Sequence, residues 1–297
     1  VKRHVLPVSA LRGVALLSLF LSLAACTART ADDDGDGGAR GNAAGGMPGT
    51  RPPLPLDPYS DQHDGLFHKT RLADDRLVRA CMKQRGVPWN PPPVSRADAD
   101  PPSRRYGVTE GADAQKSGYH PPVDPARERR NRYFLHELTA RQKAALDGDK
   151  RHPGCRARAT AAIHRGVPKK QTFLVFQLEA EALKKSARTP GVRAAKKAWS
   201  DCMRERGHHY PTPEAAALNK KWDLDSPRIS GRERAVALAD AACKQKTSLV
   251  RTWSRAEADV QRQLIRRYAT ELAAARQANE TRRANVDRIL TDDHGQP

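Results

Sequence analysis

Apolar positions recur along this chain at the spacing of helices rather than strands. Val192, Ala195, Trp199, Cys202 and Met203 share one helical face, and Gly207 with Pro211 and Pro213 follows it. An earlier stretch ends in the same way. Cys81-Met82-Lys83-Gln84-Arg85-Gly86-Val87-Pro88-Trp89 aligns without a gap on Cys202-Met203-Arg204-Glu205-Arg206-Gly207-His208-His209-Tyr210. Gly86 and Gly207 are placed to take the left-handed conformation that stops a helix, with proline soon after. Trp89 and Tyr210 are then expected to fold back over the helix ends.

Further helices are predicted over 127–147, which stops at Gly148, and over 155–165, which stops at Gly166. The run Phe173-Leu174-Val175-Phe176 is bulky enough for a strand, but strong helix formers follow without a turn, so 171–187 reads as helix. Thr189-Pro190 and Thr212-Pro213 look like N-caps with proline at the first helical position. Ser230-Gly231-Arg232-Glu233 matches a capping box. Beyond it, Val236, Ala239, Cys243, Val250, Trp253, Val260, Leu264, Tyr268 and Leu272 track one face. Neither proline nor glycine occurs from Arg232 to Leu290. One helix of about 60 residues would run roughly 90 Å, more than a small core can cover. Its last 20 or so residues are therefore expected to project as a solvated extension, to fray, or to meet a partner helix.

Two segments escape this pattern. Residues 26–59 hold Asp32-Asp33-Asp34, Gly37-Gly38, Gly45-Gly46 and then Arg51-Pro52-Pro53-Leu54-Pro55, the composition of a disordered tether that stiffens at its exit. Residues 88–125 are broken by Pro91-Pro92-Pro93, Pro101-Pro102 and Pro121-Pro122, and read as a flexible excursion between helices. The expected fold is all-α: an irregular, disulfide-bonded helical domain over 60–297 with a long C-terminal helix, carried on a tether. Half-repeats over 66–165 and 171–290 are a further expectation.

The first 25 residues set the address. Lys2, Arg3 and Arg12 precede an apolar stretch from Val14 to Leu23, and then comes Leu23-Ala24-Ala25-Cys26. That is the order of a secretory signal peptide, and its apolar core falls short of the about 20 residues that span a bilayer. The small pair before a cysteine resembles the lipobox of bacterial lipoproteins. The resemblance implies that Cys26 is acylated and becomes the first mature residue, anchored by its lipid to the extracytoplasmic face of the cell membrane.

Five cysteines are present. Setting Cys26 aside leaves Cys81, Cys155, Cys202 and Cys243, an even number that suggests disulfides in an exported protein. Four cysteines allow three connectivities; each aligned segment is followed by one further cysteine, which favours Cys81–Cys155 with Cys202–Cys243.

The formal charge of +19 favours anionic neighbours, namely lipid headgroups, phosphate-rich cell-wall polymers or nucleic acid; an anionic cell-wall polymer or a protein partner is the expected contact. Export and few aromatic residues argue against nucleic acid. Most basic residues are expected on solvated helix faces. No residues form a convincing catalytic set: no nucleophile elbow, no phosphate-cradling glycine loop and no cofactor motif is present. His208-His209, and His63 and His68 beside Asp64, lack the partners a metal site needs. The stripe of Trp199, Trp253 and Tyr268 reads as core rather than a ligand cage.

Trp199-Ser200-Asp201-Cys202-Met203, Gly207, Tyr210 and Pro213, with Asp240-Ala241-Ala242-Cys243-Lys244-Gln245 and Trp253, resemble a group of actinobacterial lipoproteins of unknown function over roughly residues 70–270. The resemblance implies an exported, lipid-anchored, mostly helical domain with paired cysteines, and no activity. The function expected is a non-enzymatic binding or interaction module. An envelope hydrolase with a site assembled across helices, and a structural lipoprotein pairing through its C-terminal helix, are the alternatives.

Overall fold

The computed structural model describes residues 52–62, 65–96, 103–168 and 173–292. Residues 1–25, read above as a signal peptide, Cys26, residues 27–51 of the expected tether, His63 and Asp64 lie outside them. Among the described residues there are eleven α-helices and no strand. They are α1 (Leu66–Gln84), α2 (Gly111–Ser117), α3 (Pro125–Arg132), α4 (Ala140–Asp147), α5 (Cys155–Ile163), α6 (Leu174–Ser186), α7 (Pro190–Glu205), α8 (Pro213–Ala217), α9 (Gly231–Lys246), α10 (Leu249–Arg267) and α11 (Ala269–Thr291).

The aligned segments fold alike. α1 and α7 end at glycines with φ of +61° and +77°. In both copies the amide after the glycine reaches back to the methionine carbonyl, Val87 to Met82 at 3.0 Å and His208 to Met203 at 2.9 Å. This wrap satisfies carbonyls that the helix end leaves open. Trp89 then buries itself edge-on to Tyr133 and Phe134, with ring centroids 5.9 and 5.8 Å away. Tyr210 stays half-buried, its carbonyl accepting from the Ser200 hydroxyl at 2.7 Å. The structure joins Cys81 to Cys155 and Cys202 to Cys243, with Cα atoms 5.6 and 5.7 Å apart.

Each disulfide sits in its own apolar cluster. Val78, Met82, Trp89, Leu138, Leu146 and Ala159 surround the first. Val192, Trp199, Met203, Val236, Leu249 and Trp253 surround the second. A third cluster joins α6, α10 and α11 through Val175, Leu178, Leu264 and Leu272, and a fourth joins α1, α5 and α11 through Ala73, Ile163 and Val286.

Five expectations need correction. The uninterrupted stretch 231–290 is three helices rather than one, turning at Ser248, which has φ +52°, and at Tyr268. The turn escapes the sequence pattern because a serine takes the left-handed conformation usually marked by glycine. The last helix neither projects nor frays: Leu272, Ala275 and Val286 are buried. The helix expected over 127–147 breaks at Leu138, where Thr139 and Gln142 form a reciprocal cap for α4. The Pro-rich region is no loose excursion over its described part, since Tyr106, Val108, Ala114 and Tyr119 fill the second cluster. The end of the tether is also folded, with Leu54 and Leu56 buried and a 3-10 turn over Asp57–Tyr59.

Two N-caps differ in detail from the sequence pattern. The Thr189 hydroxyl does not cap α7; it donates to the Ser186 carbonyl at 2.8 Å. Ser230 does cap α9, accepting from the Glu233 amide at 3.1 Å, but Glu233 does not return the bond. Its carboxylate is used elsewhere, as described next.

Candidate functional site

Residues 103–120 lie against α9 and α10 and bring polar groups into the core. Burying a charge is costly unless it is paired and hydrogen-bonded; of three buried acids on these helices, Glu233 and Glu257 find partners in this segment, and the lysine that pairs with Asp240 is bonded by it. Glu233 Oε1 accepts from the Tyr119 amide at 2.7 Å and pairs with His120 Nδ1 at 2.8 Å. Burial opposes the charge on His120, but the Glu233 carboxylate outweighs it and raises the imidazole pKa.

Asp240 and Lys244, one turn apart on α9, form the second set. Their i,i+4 spacing reads in sequence as an ordinary surface pair, yet both are buried. Lys244 Nζ donates to Asp240 Oδ2 at 3.0 Å and to the Val108 carbonyl at 2.8 Å, and Asp240 Oδ1 accepts from Trp199 Nε1 at 2.9 Å. Burial pushes the Asp240 pKa up and the Lys244 pKa down, while the attraction between them works the other way. Gly107, with φ +76°, passes over the ammonium group; a Cβ there would sit 2.9 Å from Lys244 Nζ.

Glu257 of α10 forms the third set and is wholly buried. It accepts from Arg105 Nε at 2.8 Å, Tyr106 Oη at 2.8 Å and Gln261 Nε2 at 2.9 Å. Gln261 in turn accepts from the Leu56 amide at 2.9 Å, and Arg105 Nη2 reaches the Glu179 carbonyl at 2.8 Å. One carboxylate therefore ties together the Pro-rich segment, the tether's end, α6 and α10. Burial works against the Arg105 charge, but bonding to Glu257 prevails and raises its pKa.

Between the second and third sets opens a cleft of about 670 Å³. Tyr106 and Lys244 line it from the core, Pro52 and Pro53 from the tether's end, and Val250 and Ala258 supply apolar wall. Ser103, Thr109, Gln245, Ser248 and Ser254 contribute polar groups, and Glu110, Arg251 and Arg255 contribute charge. Ser248 immediately precedes α10, and Val250 and Arg251 belong to its first turn, where amides not used within the helix favour anions. The Arg251 guanidinium donates to Ser248 Oγ at 2.7 Å. Arg255 forms no ion pair with any of the described residues. With Asp240 balancing Lys244, two guanidiniums against Glu110 leave the cleft positive, at a size suited to a small ligand or a polymer unit.

Comparison of the chain with protein-family models, with curated proteins and with solved structures gives no match.

The residues marked in the sequence lie elsewhere. His209 is exposed and His208 half-buried at the turn after α7. Among the described residues no three His, Cys, Asp or Glu side chains gather as a metal set. Trp199 and Trp253 are core, the latter donating to Ser186 Oγ at 2.9 Å. The four described cysteines are consumed in disulfides. Arg206 lies over the second of these, 2.7 Å from Cys202 Sγ and 3.2 Å from Cys243 Sγ, whereas its counterpart Arg85 donates to the carbonyls of Ala145 and Pro153.

Arg251 and Arg255 were legible only as a like-charged i,i+4 pair, which costs a free helix a few tenths of a kcal/mol. A basic residue at each of these positions is a faint signal for a site in a chain with 53 lysines and arginines.

Proposed function

We propose that this is a lipid-anchored, non-enzymatic binding module of the cell envelope that takes an anionic group in the cleft beside α10. The lipobox-like Leu-Ala-Ala-Cys sequence supports the anchor. The cleft's paired guanidiniums at a helix N-terminus carry the binding reading. A phosphodiester or carboxylate can accept from Arg251, Arg255 and the first amides of α10 together, and a planar guanidinium matches such oxygens in pairs.

The binding is tested by retention on purified, phosphate-rich cell wall and, separately, on vesicles of anionic lipid, across ionic strength. Retention on wall that weakens with salt, and that Arg251→Glu with Arg255→Glu removes, supports a polymer ligand; the same result on vesicles alone assigns the group to lipid. Equal retention by the wild type and the double variant on both surfaces would overturn the assignment. The anchor is tested apart, by incorporation of labelled palmitate into the full chain and its loss on Cys26→Ser.

A further inference from the structure

Two rings near the start of α6 run against the burial pattern of the rest of the helix. Phe173 is 73% exposed and Phe176 is 68% exposed, whereas Val175 and Leu178 of the same segment are buried. Three residues apart, the rings leave the helix on one side. They border a groove of about 620 Å³ that Tyr59, Asp61 and Gln62 also line, a few residues along the chain from Pro52, where the described chain begins. The acidic group there is matched, since Asp61 pairs with Arg282 at 3.0 Å. The exposed aromatics therefore lie beside the first folded turn of the described chain, Asp57–Tyr59.

The tether read from residues 27–51 would reach about 25–30 Å if it follows the dimensions of a Gly-rich chain. So short a leash holds the first folded residues, and the groove they line, close to the membrane. Aromatic rings are favoured at the boundary between headgroups and acyl chains, and a basic protein is drawn to anionic lipid. We infer that Phe173 and Phe176 dock the domain on the bilayer that holds its N-terminal lipid. This rests on the anchored reading given above, and it assigns the rings a lipid surface rather than a protein partner.

The test uses the chain from Thr27 onward, without lipid, and extruded vesicles of phosphatidylglycerol and phosphatidylcholine. Sedimentation should show partition that falls about tenfold for each ring replaced, in Phe173→Ser, Phe176→Ser and the double variant. Because the rings are exposed, thermal unfolding and near-ultraviolet dichroism should not change. In Phe176→Trp, the introduced indole should blue-shift on adding vesicles. Unchanged partition of the double variant would overturn the inference, as would an unshifted indole. So would a double variant that alters self-association and leaves vesicle binding intact, since that would assign the rings to a second copy. Labelled palmitate on the full chain reports the anchor independently, so loss of one reading is distinguishable from loss of the other.

Discussion

Replacing Glu257 with glutamine keeps the shape of the side chain and removes its charge. The amide can still accept from Arg105 and Gln261 through its oxygen, and its nitrogen can donate to Tyr106 Oη, so the packing of α10 is preserved. What is lost is the counter-ion of Arg105, whose side chain is only 16% exposed. Breaking a buried pair by neutralising one partner costs about 3–5 kcal/mol. The partial exposure of Arg105 places this case near the lower end, about 3 kcal/mol. For a domain of this size that corresponds to a fall in Tm of about 6–12 °C. The reverse perturbation, Arg105→Met, strands a carboxylate with no exposure at all and should cost at least as much. The double variant removes both charges, so its cost should fall short of the sum of the singles by about 2 kcal/mol or more. Urea unfolding followed by dichroism at 222 nm, with disulfides kept oxidised, measures all three. Additive singles, within about 0.5 kcal/mol, would mean that Glu257 and Arg105 do not act as a pair and would refute the reasoning.

Removing Cys202 and Cys243 together as alanines should cost about 4 kcal/mol, and removing Cys81 and Cys155 slightly more, because the closed loop is longer; chemical unfolding gives the order, and thiol titration of the denatured wild type should find none of these four cysteines free. Gly118→Ala should destabilise the domain strongly, because Gly118 has φ +54° and a Cβ there would collide with the Glu233 carboxylate; Gly86→Ala, with open space around it, should show only the cost of its positive φ. The His120–Glu233 contact makes stability depend on pH. The folded imidazole has a raised pKa, so its contribution is complete below the ordinary histidine value and is lost as pH rises through the folded value. Glu233 faces the ring, and Arg104 donates to the His120 carbonyl at 3.2 Å, a bond that does not titrate in this range. The Tm advantage of the wild type over His120→Gln should shrink as pH rises from 5 to 9, and a constant difference would exclude the pair as its source.

Helix identity and the paired glycine stops were legible because they rest on local rules. A 3.6-residue apolar period, a glycine at the stop and a proline after it need no knowledge of the partner element. The fold class followed from them. The junctions at Ser248 and Leu138 were not legible, because each is marked by residues that ordinary helices also contain. Thr247 adds to the first junction by donating its hydroxyl to the Cys243 carbonyl at 2.8 Å, a local bond that competes with the helical ladder. The role of the Pro-rich segment was hidden for a related reason. Proline marks where regular structure fails but says nothing about burial, and Tyr106 and Tyr119 become core only through what α9 and α10 place opposite them.

The cleft was the least legible feature, and its chemistry shows why. Asp240 and Lys244 have the spacing of a solvent-facing pair, and spacing alone does not distinguish a pair at the surface from one that is covered. The cover comes from Gly107 and Val108, more than a hundred residues earlier in the chain. The same holds for Glu257, whose partners Arg105, Tyr106 and Gln261 bring together the Pro-rich segment and α10. A proline-rich strip thus supplies partners for Glu233 and Glu257 and a carbonyl for the lysine that pairs with Asp240, and in doing so it forms one wall of the positive cleft. If that account is right, the strip is held by charge as much as by apolar burial. Its attachment should then weaken in step with the loss of any one of Glu233, Asp240 or Glu257, and protection of the Val108 and Tyr119 amides from hydrogen exchange should fall in those variants ahead of the amides of α7.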